Sequence, residues 1–158
     1  MLRLRPYNDN DADTILSWAK DERAFYEWNA GNLGDYPISK EEFSVVNDNI
    51  AFTAIYDEKI VGFLIMKRFE ESFDILRFCY VIVDDTKRGN GYGKQMMILA
   101  LKYAKEIFGA KKVSLGVFEC NVAAYNCYKS VGFKQNKPNT QYLLMGEKWE
   151  CPELEIEL

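Results

Sequence analysis

The first third of the chain shows one strand pattern followed by helical patterns. Apolar and polar residues alternate over residues 2–7, as in a strand with one buried face. Residues 8–11 are all Asn or Asp, which can cap a helix, and apolar side chains then recur at helical spacing over residues 15–19. A second short helix is predicted over residues 22–28, and the Ser-Lys-Glu-Glu of residues 39–42 matches a capping box. One edge strand followed by mainly helical sequence is therefore expected.

Strand-like sequence follows between residues 51 and 83. Three segments rich in β-branched and aromatic residues, 52–56, 60–69 and 73–83, are separated by short polar turns. These short turns predict an antiparallel meander. The last six residues of the third segment, 78–83, are nearly all apolar, which indicates a strand buried on both faces in the middle of a sheet.

The second half of the chain predicts two more helices with a strand between them. An apolar stripe at helical spacing runs over residues 96–107, and Gly109 can close that helix. Residues 113–118 have the pattern of a strand. Asn121 can cap a further helix that ends at Gly132.

Residues 142–145 and 149–158 are predicted to form a closing hairpin. The order strands, helix, strand, helix, strands then predicts one α/β (α+β) domain over residues 1–158. Its centre is expected to be a mixed, mostly antiparallel sheet of about seven strands, with helices on both faces.

Composition narrows the classes of function. The chain is 48% hydrophobic and 28% charged, as in folded soluble proteins. No apolar run approaches the roughly 20 residues of a membrane span, and the first residues do not read as an export signal, so we expect a cytoplasmic protein with no membrane partner. The net charge of −4 without a basic tract argues against nucleic acid and weakly favours a cationic substrate. A monomer and a homodimer are both left open.

The chain has no histidine, and its four cysteines, at positions 79, 120, 127 and 151, are nowhere spaced as Cys-x-x-Cys. A metal site is therefore not expected. Because histidine is the most frequent general base near neutral pH, any base in this protein must be a carboxylate, a tyrosine or a chain of water molecules.

The sequence Arg-Gly-Asn-Gly-Tyr-Gly-Lys of residues 88–94 lies between a buried strand and a helix. Its backbone N–H groups and the helix dipole suit a phosphate or pyrophosphate. A phosphate-binding loop of the NTPase kind needs glycine where Arg88 stands and Ser or Thr where Gln95 stands. A dinucleotide fingerprint needs Gly-x-Gly-x-x-Gly rather than Gly-x-Gly-x-Gly. A simple turn would explain only one or two of the glycines, so an anion site is the better interpretation.

This loop resembles the central signature of the GNAT superfamily of acyl-CoA-dependent N-acetyltransferases: Arg or Gln, two residues, Gly, one residue, Gly or Ala. The matching residues are Arg88, Gly91 and Gly93. A second element of that family is similar to a segment at the expected distance downstream, with Asn121, Ala124, Tyr128, Gly132 and Phe133 at the defined positions. The resemblance spans most of the chain and is weakest over residues 20–50.

The resemblance implies a single GNAT domain that transfers an acetyl group from acetyl-CoA, without a metal, to a primary amine of a small molecule, protein or peptide, in a ternary complex. Tyr128 would be catalytic, protonating or hydrogen-bonding the departing CoA sulfur. An acyl-CoA-binding sensor or interaction module without turnover, on the same fold, is the alternative. The residues implied in cofactor binding are Val81, Ile82, Val83, Arg88, Gly89, Asn90, Gly91, Tyr92, Gly93, Lys94 and Asn121.

The resemblance leaves the base for the acceptor amine unassigned. Many family members carry a glutamate on the central strand, where this chain has Arg77 and Cys79. Glu27, Asp74 and Glu119 are the candidates, acting directly or through water. The residues expected by position alone to wall the acceptor cleft are Trp28, Asp35, Tyr36 and Trp149.

Overall fold

The computed structural model describes residues 1–43, 49–69 and 71–158. Its strands are Arg3–Pro6 (β1), Ile50–Tyr56 (β2), Lys59–Phe69 (β3), Ser72–Val83 (β4), Lys112–Gly116 (β5), Lys134–Gln135 (β6), Thr140–Leu144 (β7), Glu147–Cys151 (β8) and Glu153–Glu157 (β9). Its α-helices are Ala12–Ser17 (α1), Glu22–Asn29 (α2), Tyr92–Glu106 (α3) and Val122–Val131 (α4). None of the helices in these described ranges is long and apolar enough to cross a membrane.

Seven strands form one sheet in the order β1-β2-β3-β4-β5-β9-β6. Neighbouring strands are antiparallel except β4 and β5, which run parallel because α3 crosses between them. The prediction of a mixed, mostly antiparallel sheet of about seven strands is confirmed. The meander predicted between residues 51 and 83 forms β2, β3 and β4.

The alternation of side chains along β3 explains why helices cover both faces. Leu64 and Met66 belong to the core that α3 and α4 cover, whereas Phe63 and Ile65 belong to a second core that includes α1. All four side chains are fully buried. Because successive side chains of a strand point to opposite faces, one apolar strand supplies both cores.

Glycine at position 62 allows α3 to pack closely on the sheet. A Cβ atom there would lie 2.7 Å from the Met96 sulfur and 3.2 Å from the Ile82 carbonyl oxygen. A side chain at position 62 would therefore displace the end of the Met96 side chain and press on the backbone of β4. The close packing fixes where α3 begins relative to the end of β4, and that junction carries the glycine loop.

A buried carboxylate anchors the N-terminal segment to the sheet. Both guanidinium Nη atoms of Arg5 donate to the Asp11 carboxylate at 2.8 Å, and Thr53 Oγ1 donates to it at 2.8 Å. The Asn8 N–H also donates to Asp11 at 3.2 Å, in a capping box on the short 3₁₀ turn Asp9–Asp11; α1 itself has no side-chain cap, so the predicted capping falls on the turn that precedes it. Burial by itself raises the pKa of Asp11, but these hydrogen bonds outweigh it and hold the pKa below its usual value.

The predicted closing hairpin is wrong in one respect. Residues 149–158 do not form one strand, because Pro152 has no N–H to donate and separates β8 from β9. The strand β8 pairs with β7 in a separate two-stranded sheet, whereas β9 pairs with β5 and β6 in the main sheet. The β7–β8 hairpin thereby becomes available to cover the end of the main sheet.

At the predicted capping box, the Ser39 N–H donates to the Glu42 carboxylate at 2.7 Å. Residues 40–42 form a turn, and the helix that this box would begin runs into residues 44–48, which lie outside the described residues.

Candidate active site

The central sheet opens between β4 and β5. In the described part of the sheet, these two strands pair only over residues 75–77 and 112–114, although β4 continues to Val83. The carboxyl ends of the two parallel strands therefore leave a gap between them. In sheets with parallel strands, such a gap is a common place for a ligand.

Tyr80 lies on a β-bulge at this gap. Ile65 pairs with Cys79 and Phe63 pairs with Ile82, so β4 holds one residue more than β3 over this stretch. The φ angle of Tyr80 is +53°, in the left-handed region that non-glycine residues rarely adopt. A bulge bends its strand and is frequent beside active sites, and this one lies where β4 and β5 separate.

A cavity of about 630 Å³, here called the loop cavity, lies at the end of β4 against α2, α3 and α4. Its lining includes almost all of the predicted cofactor-binding residues: Val81, Ile82, Val83, Arg88, Gly89, Gly91, Tyr92, Gly93, Lys94 and Asn121. The remaining residue, Asn90, is not part of the lining. Its side-chain amide donates to the Lys87 carbonyl at 3.0 Å. Ten of the eleven predicted residues thus lie around one cavity, and their role in cofactor binding stays a prediction.

Glycine is required at two positions of the loop. Gly89 and Gly91 have φ angles of +83° and +78°, which glycine adopts without steric cost. Gly91 is the N-cap of α3, so the first N–H groups of that helix have no intrahelical partner. Tyr92, Gly93 and Lys94 line the loop cavity, and their backbone is thereby placed to offer donors to a ligand.

The charges around the loop cavity suit an anion. Lys87, Arg88 and Lys94 line it, and the first turn of α3 has no acidic side chain. Cations, free N–H groups and the positive end of a helix dipole together favour a pyrophosphate. Across residues 1–43, 49–69 and 71–158, no group of three or more His, Cys, Asp or Glu side chains could hold a metal ion.

A second cavity, of about 490 Å³ and here called the strand cavity, occupies the gap between β4 and β5. Residues from α2, β3, β7 and β8 close it. Of the residues expected to wall the acceptor cleft, Trp28 lines this cavity. Tyr36 packs instead on Phe25, and Trp149 packs on Phe118 behind the lining.

The two cavities share a set of lining residues: Glu27, Trp28, Val81, Asn121 and Tyr128. A group bound in one cavity can therefore meet a group bound in the other at this junction. The junction combines a carboxylate, a phenol and the end of the central strand, which are the kinds of group that move protons and orient a reacting carbonyl.

Tyr128 lies on α4, two turns after Asn121, and both side chains reach the junction. Asn121 Oδ1 accepts a hydrogen bond from the Ala124 N–H at 3.3 Å, so this residue caps α4 as well as lining the cavities. The Tyr128 ring packs on Phe133 and is 7% exposed. Burial raises the pKa of Tyr128 well above its usual value, so the hydroxyl keeps its proton at neutral pH.

The three candidate carboxylates differ sharply in position. Glu27 lines both cavities, and burial raises its pKa even though Arg23 and Arg88 lower it in part. Asp74 lies near the other end of β4 and pairs with Lys111 at 3.2 Å. Glu119 is exposed, lines neither cavity, and accepts a hydrogen bond from Asn139 at 3.4 Å. Glu27 is therefore the carboxylate that the fold brings to the junction.

Several residues of the strand cavity were not predicted: Lys67, Tyr80, Tyr142 and Cys151, together with Arg77 and Cys79 in a lining role. Strand alternation alone shows that Lys67 and Ile65 share a face. The pairing register of β3 with β4, and the return of the β7–β8 hairpin, were needed to bring these side chains together.

A model of the acetyltransferase (GNAT) family matches residues 12–133 of this chain. The matched region covers more than half of the chain. It includes the glycine loop, β4 and α4, and so contains the residues of the junction between the two cavities.

Two relatives of known name are similar to parts of the chain. An N-alpha-acetyltransferase from Sulfurisphaera tokodaii is 32% identical over 106 residues, which cover 61% of this chain and 63% of that protein. A spermine/spermidine N(1)-acetyltransferase from Bacillus subtilis is 32% identical over 54 residues, which cover 34% of this chain and 36% of that protein. The chain thus matches less than two thirds of the length of each relative.

The fold is also that of a solved structure. The spermidine N-acetyltransferase from Vibrio cholerae, crystallised in complex with CoA and spermine, has a TM-score of 0.82 to this chain. The superposition covers 99% of this chain and 95% of that one, at 18% sequence identity. At this identity, the similarity concerns the fold.

Proposed function

Because this chain belongs to the GNAT family of acetyltransferases, we propose that it transfers an acetyl group from acetyl-CoA to a primary amine while both substrates are bound. The observation that carries the proposal is the junction of the two cavities at Glu27 and Tyr128. The loop cavity would hold the donor and the strand cavity the amine. Direct attack then needs no covalent enzyme intermediate.

The lining of the loop cavity fits CoA. The N–H groups of the loop and of the first turn of α3, with Arg88 and Lys94, would hold the pyrophosphate. The backbone of residues 81–83 and the side chain of Asn121 would contact the pantetheine arm and the acetyl carbonyl. When bound, acetyl-CoA supplies an acetyl group activated as a thioester.

Glu27 is proposed to accept the proton that the acceptor amine must lose. A lysine-like amine of pKa about 10.4 is neutral in only about one part in a few thousand at pH 7, a cost of roughly 4.6 kcal/mol. A carboxylate beside the amine, acting directly or through one water molecule, removes much of this cost during attack. The raised pKa of Glu27 makes it a stronger base than an ordinary surface carboxylate.

Tyr128 is proposed to donate a hydrogen bond to the sulfur that leaves as the new C–N bond forms. A thiolate has a pKa near 8.5, below that of a phenol. Because burial raises the pKa of Tyr128 further, the hydroxyl stabilises the departing sulfur chiefly as a hydrogen-bond donor.

The alternative is an acyl-CoA-binding module without turnover on the same fold. A module that only binds CoA has no need of a carboxylate and a phenol at the point where a second cavity meets the donor site. The position of Glu27 and Tyr128 therefore favours the enzyme. The cytoplasmic location and the monomeric or homodimeric state stay predictions.

Donor binding is tested by thermal unfolding of the wild type and of Gly91→Asp. At a concentration of acetyl-CoA about 100 times Kd, the wild type should gain about 2.7 kcal/mol, or roughly 5–10 °C in Tm. Gly91→Asp should lose the shift, because its carboxylate would face the pyrophosphate and its left-handed φ no longer suits the residue.

The matched control is Gly146→Asp, which introduces the same side chain at a φ of +73° in the turn between β7 and β8, with no atom within 4 Å of the added Cβ. This variant should keep the shift. An equal shift in Gly91→Asp would remove the glycine loop from the donor site.

A further inference from the structure

Two cations lie opposite each other on the neighbouring strands β3 and β4, at the base of the strand cavity. Lys67 of β3 and Arg77 of β4 are direct partners in the antiparallel register, and both line the cavity. Like charges directly opposite each other in a sheet are destabilising. A carboxylate, supplied by the chain or by a ligand, relieves such a repulsion.

Only one of these cations has a carboxylate partner in the described chain. Glu153 accepts from Arg77 Nη1 at 2.9 Å and from Nη2 at 3.2 Å, and Ser114 Oγ lies 3.4 Å from Nη1. Lys67 has no carboxylate oxygen within 4.0 Å among the described residues, and its side chain is exposed to the cavity. Its positive charge is therefore available to a ligand.

The charges of the strand cavity are separated along its length. Among the described lining residues, Glu27 is the one carboxylate, and it lies at the junction with the loop cavity. The two cations lie away from that junction, since Arg77 precedes Val81 by four residues of β4 with the Tyr80 bulge between them, and Lys67 pairs with Arg77. An amine at the junction would thus point the rest of its molecule toward Lys67.

Cys79 lies between Arg77 and Val81 on β4, and both cations influence the pKa of its thiol. Burial raises the pKa of its thiol, whereas Arg77 and Lys67 both act to lower that pKa. Both positive groups are therefore close enough to influence the same buried atom inside the cavity. Glu153, whose carboxylate is paired with Arg77, acts in the opposite direction and raises that pKa.

We propose that the amine acceptor carries a carboxylate at the end remote from its reacting amino group, and that Lys67 binds this carboxylate beside the Arg77–Glu153 ion pair. The inference rests on the proposed function and specifies its substrate class. A free aminocarboxylate and a peptide with an acidic residue near its N-terminus share this chemistry.

The proposal differs from what net charge alone favours. The chain as a whole carries −4, which would attract a cationic acceptor, but away from Glu27 the cavity presents Lys67, beside an Arg77 whose charge is paired with Glu153. A polyamine would bring a second ammonium group toward Lys67, where like charges repel. A preference for a polyamine is accordingly the result that would compete with this proposal in the test.

The test measures kcat/KM for release of CoA thiol with two matched sets of amines. The small-molecule set is aminohexanoate, aminohexanamide and hexanediamine, and the peptide set is the amides of Ala-Ala-Glu, Ala-Ala-Gln and Ala-Ala-Lys. In the set that the enzyme uses, kcat/KM for the carboxylate member should exceed kcat/KM for the neutral and the cationic member by about tenfold or more. The set that responds identifies the source of the carboxylate.

Lys67→Gln should lower kcat/KM for the carboxylate member about tenfold more than kcat/KM for the neutral member, and Lys67→Glu should reverse the preference toward the cationic member. Lys102→Glu, an exposed lysine on α3, changes the net charge equally and should have no effect. Equal use of all members, or a preference for the diamine or the Lys peptide, would overturn the inference while the proposed function stands. Release of CoA with no amine at all would contradict the proposed function itself.

Discussion

Glu27→Gln is expected to lower kcat at pH 7 by about 100-fold or more, the usual contribution of a positioned general base. The amide keeps the size of the side chain but cannot accept a proton. The variant then depends on amine that is already neutral, so its activity should rise with pH up to the pKa of the amine. The loss should appear mainly in kcat rather than in KM for acetyl-CoA, because the backbone N–H groups of the glycine loop stay in place.

The pH profile of the wild type provides a second test of this role. A base must be ionised, so activity should fall as the pH drops through the pKa of Glu27. Burial raises that pKa, which places the acidic limb above the ordinary glutamate value of about 4.3. Glu27→Gln should lose this limb. Glu22→Gln, the same exchange at an exposed position of α2, should behave as the wild type, and an unchanged kcat in Glu27→Gln would assign the base elsewhere.

Tyr128→Phe is the second change with a large expected effect, a loss of about 100-fold in kcat with little change in acetyl-CoA affinity. The variant removes one hydroxyl group and keeps the ring that packs on Phe133. The fold should therefore be preserved, and the loss should appear in the chemical step, which single-turnover kinetics measures.

Tyr125→Phe removes a hydroxyl from the same helix, away from both cavity linings, and serves as the control. Its kcat should equal that of the wild type. If Tyr128→Phe also keeps full kcat on an accepted amine, the phenol has no part in the reaction and its raised pKa reflects burial alone.

The donor side of the site could be predicted from sequence because its signals are local. Gly89 and Gly91 need positive φ angles, and Asn121 caps the helix that carries Tyr128. Each of these features is decided within a few residues of chain. The same local reasoning correctly predicted α2, α3 and α4, and the meander that forms β2 to β4.

The acceptor side could not be predicted, because long-range pairing creates it. The meeting of Lys67 and Arg77 depends on a register that shifts at the Tyr80 bulge, and sequence alone does not reveal the shift. The wall formed by Tyr142 and Cys151 depends on Pro152, which ends β8 and sends the next strand into another sheet. Glu27 was one of three candidates until the packing of α2 against β4 placed it at the junction.

The central claim is that the two cavities hold a thioester donor and an amine at the same time and join them at Glu27 and Tyr128. The most direct test incubates the wild type with acetyl-CoA and the amines named above, with spermidine added, and measures free thiol and the mass of each amine. The account predicts one acetylated amine for each CoA released, and loss of both signals in the Glu27→Gln, Tyr128→Phe double variant. Saturable binding of acetyl-CoA without acetylation of any amine would contradict it and would indicate a binding module.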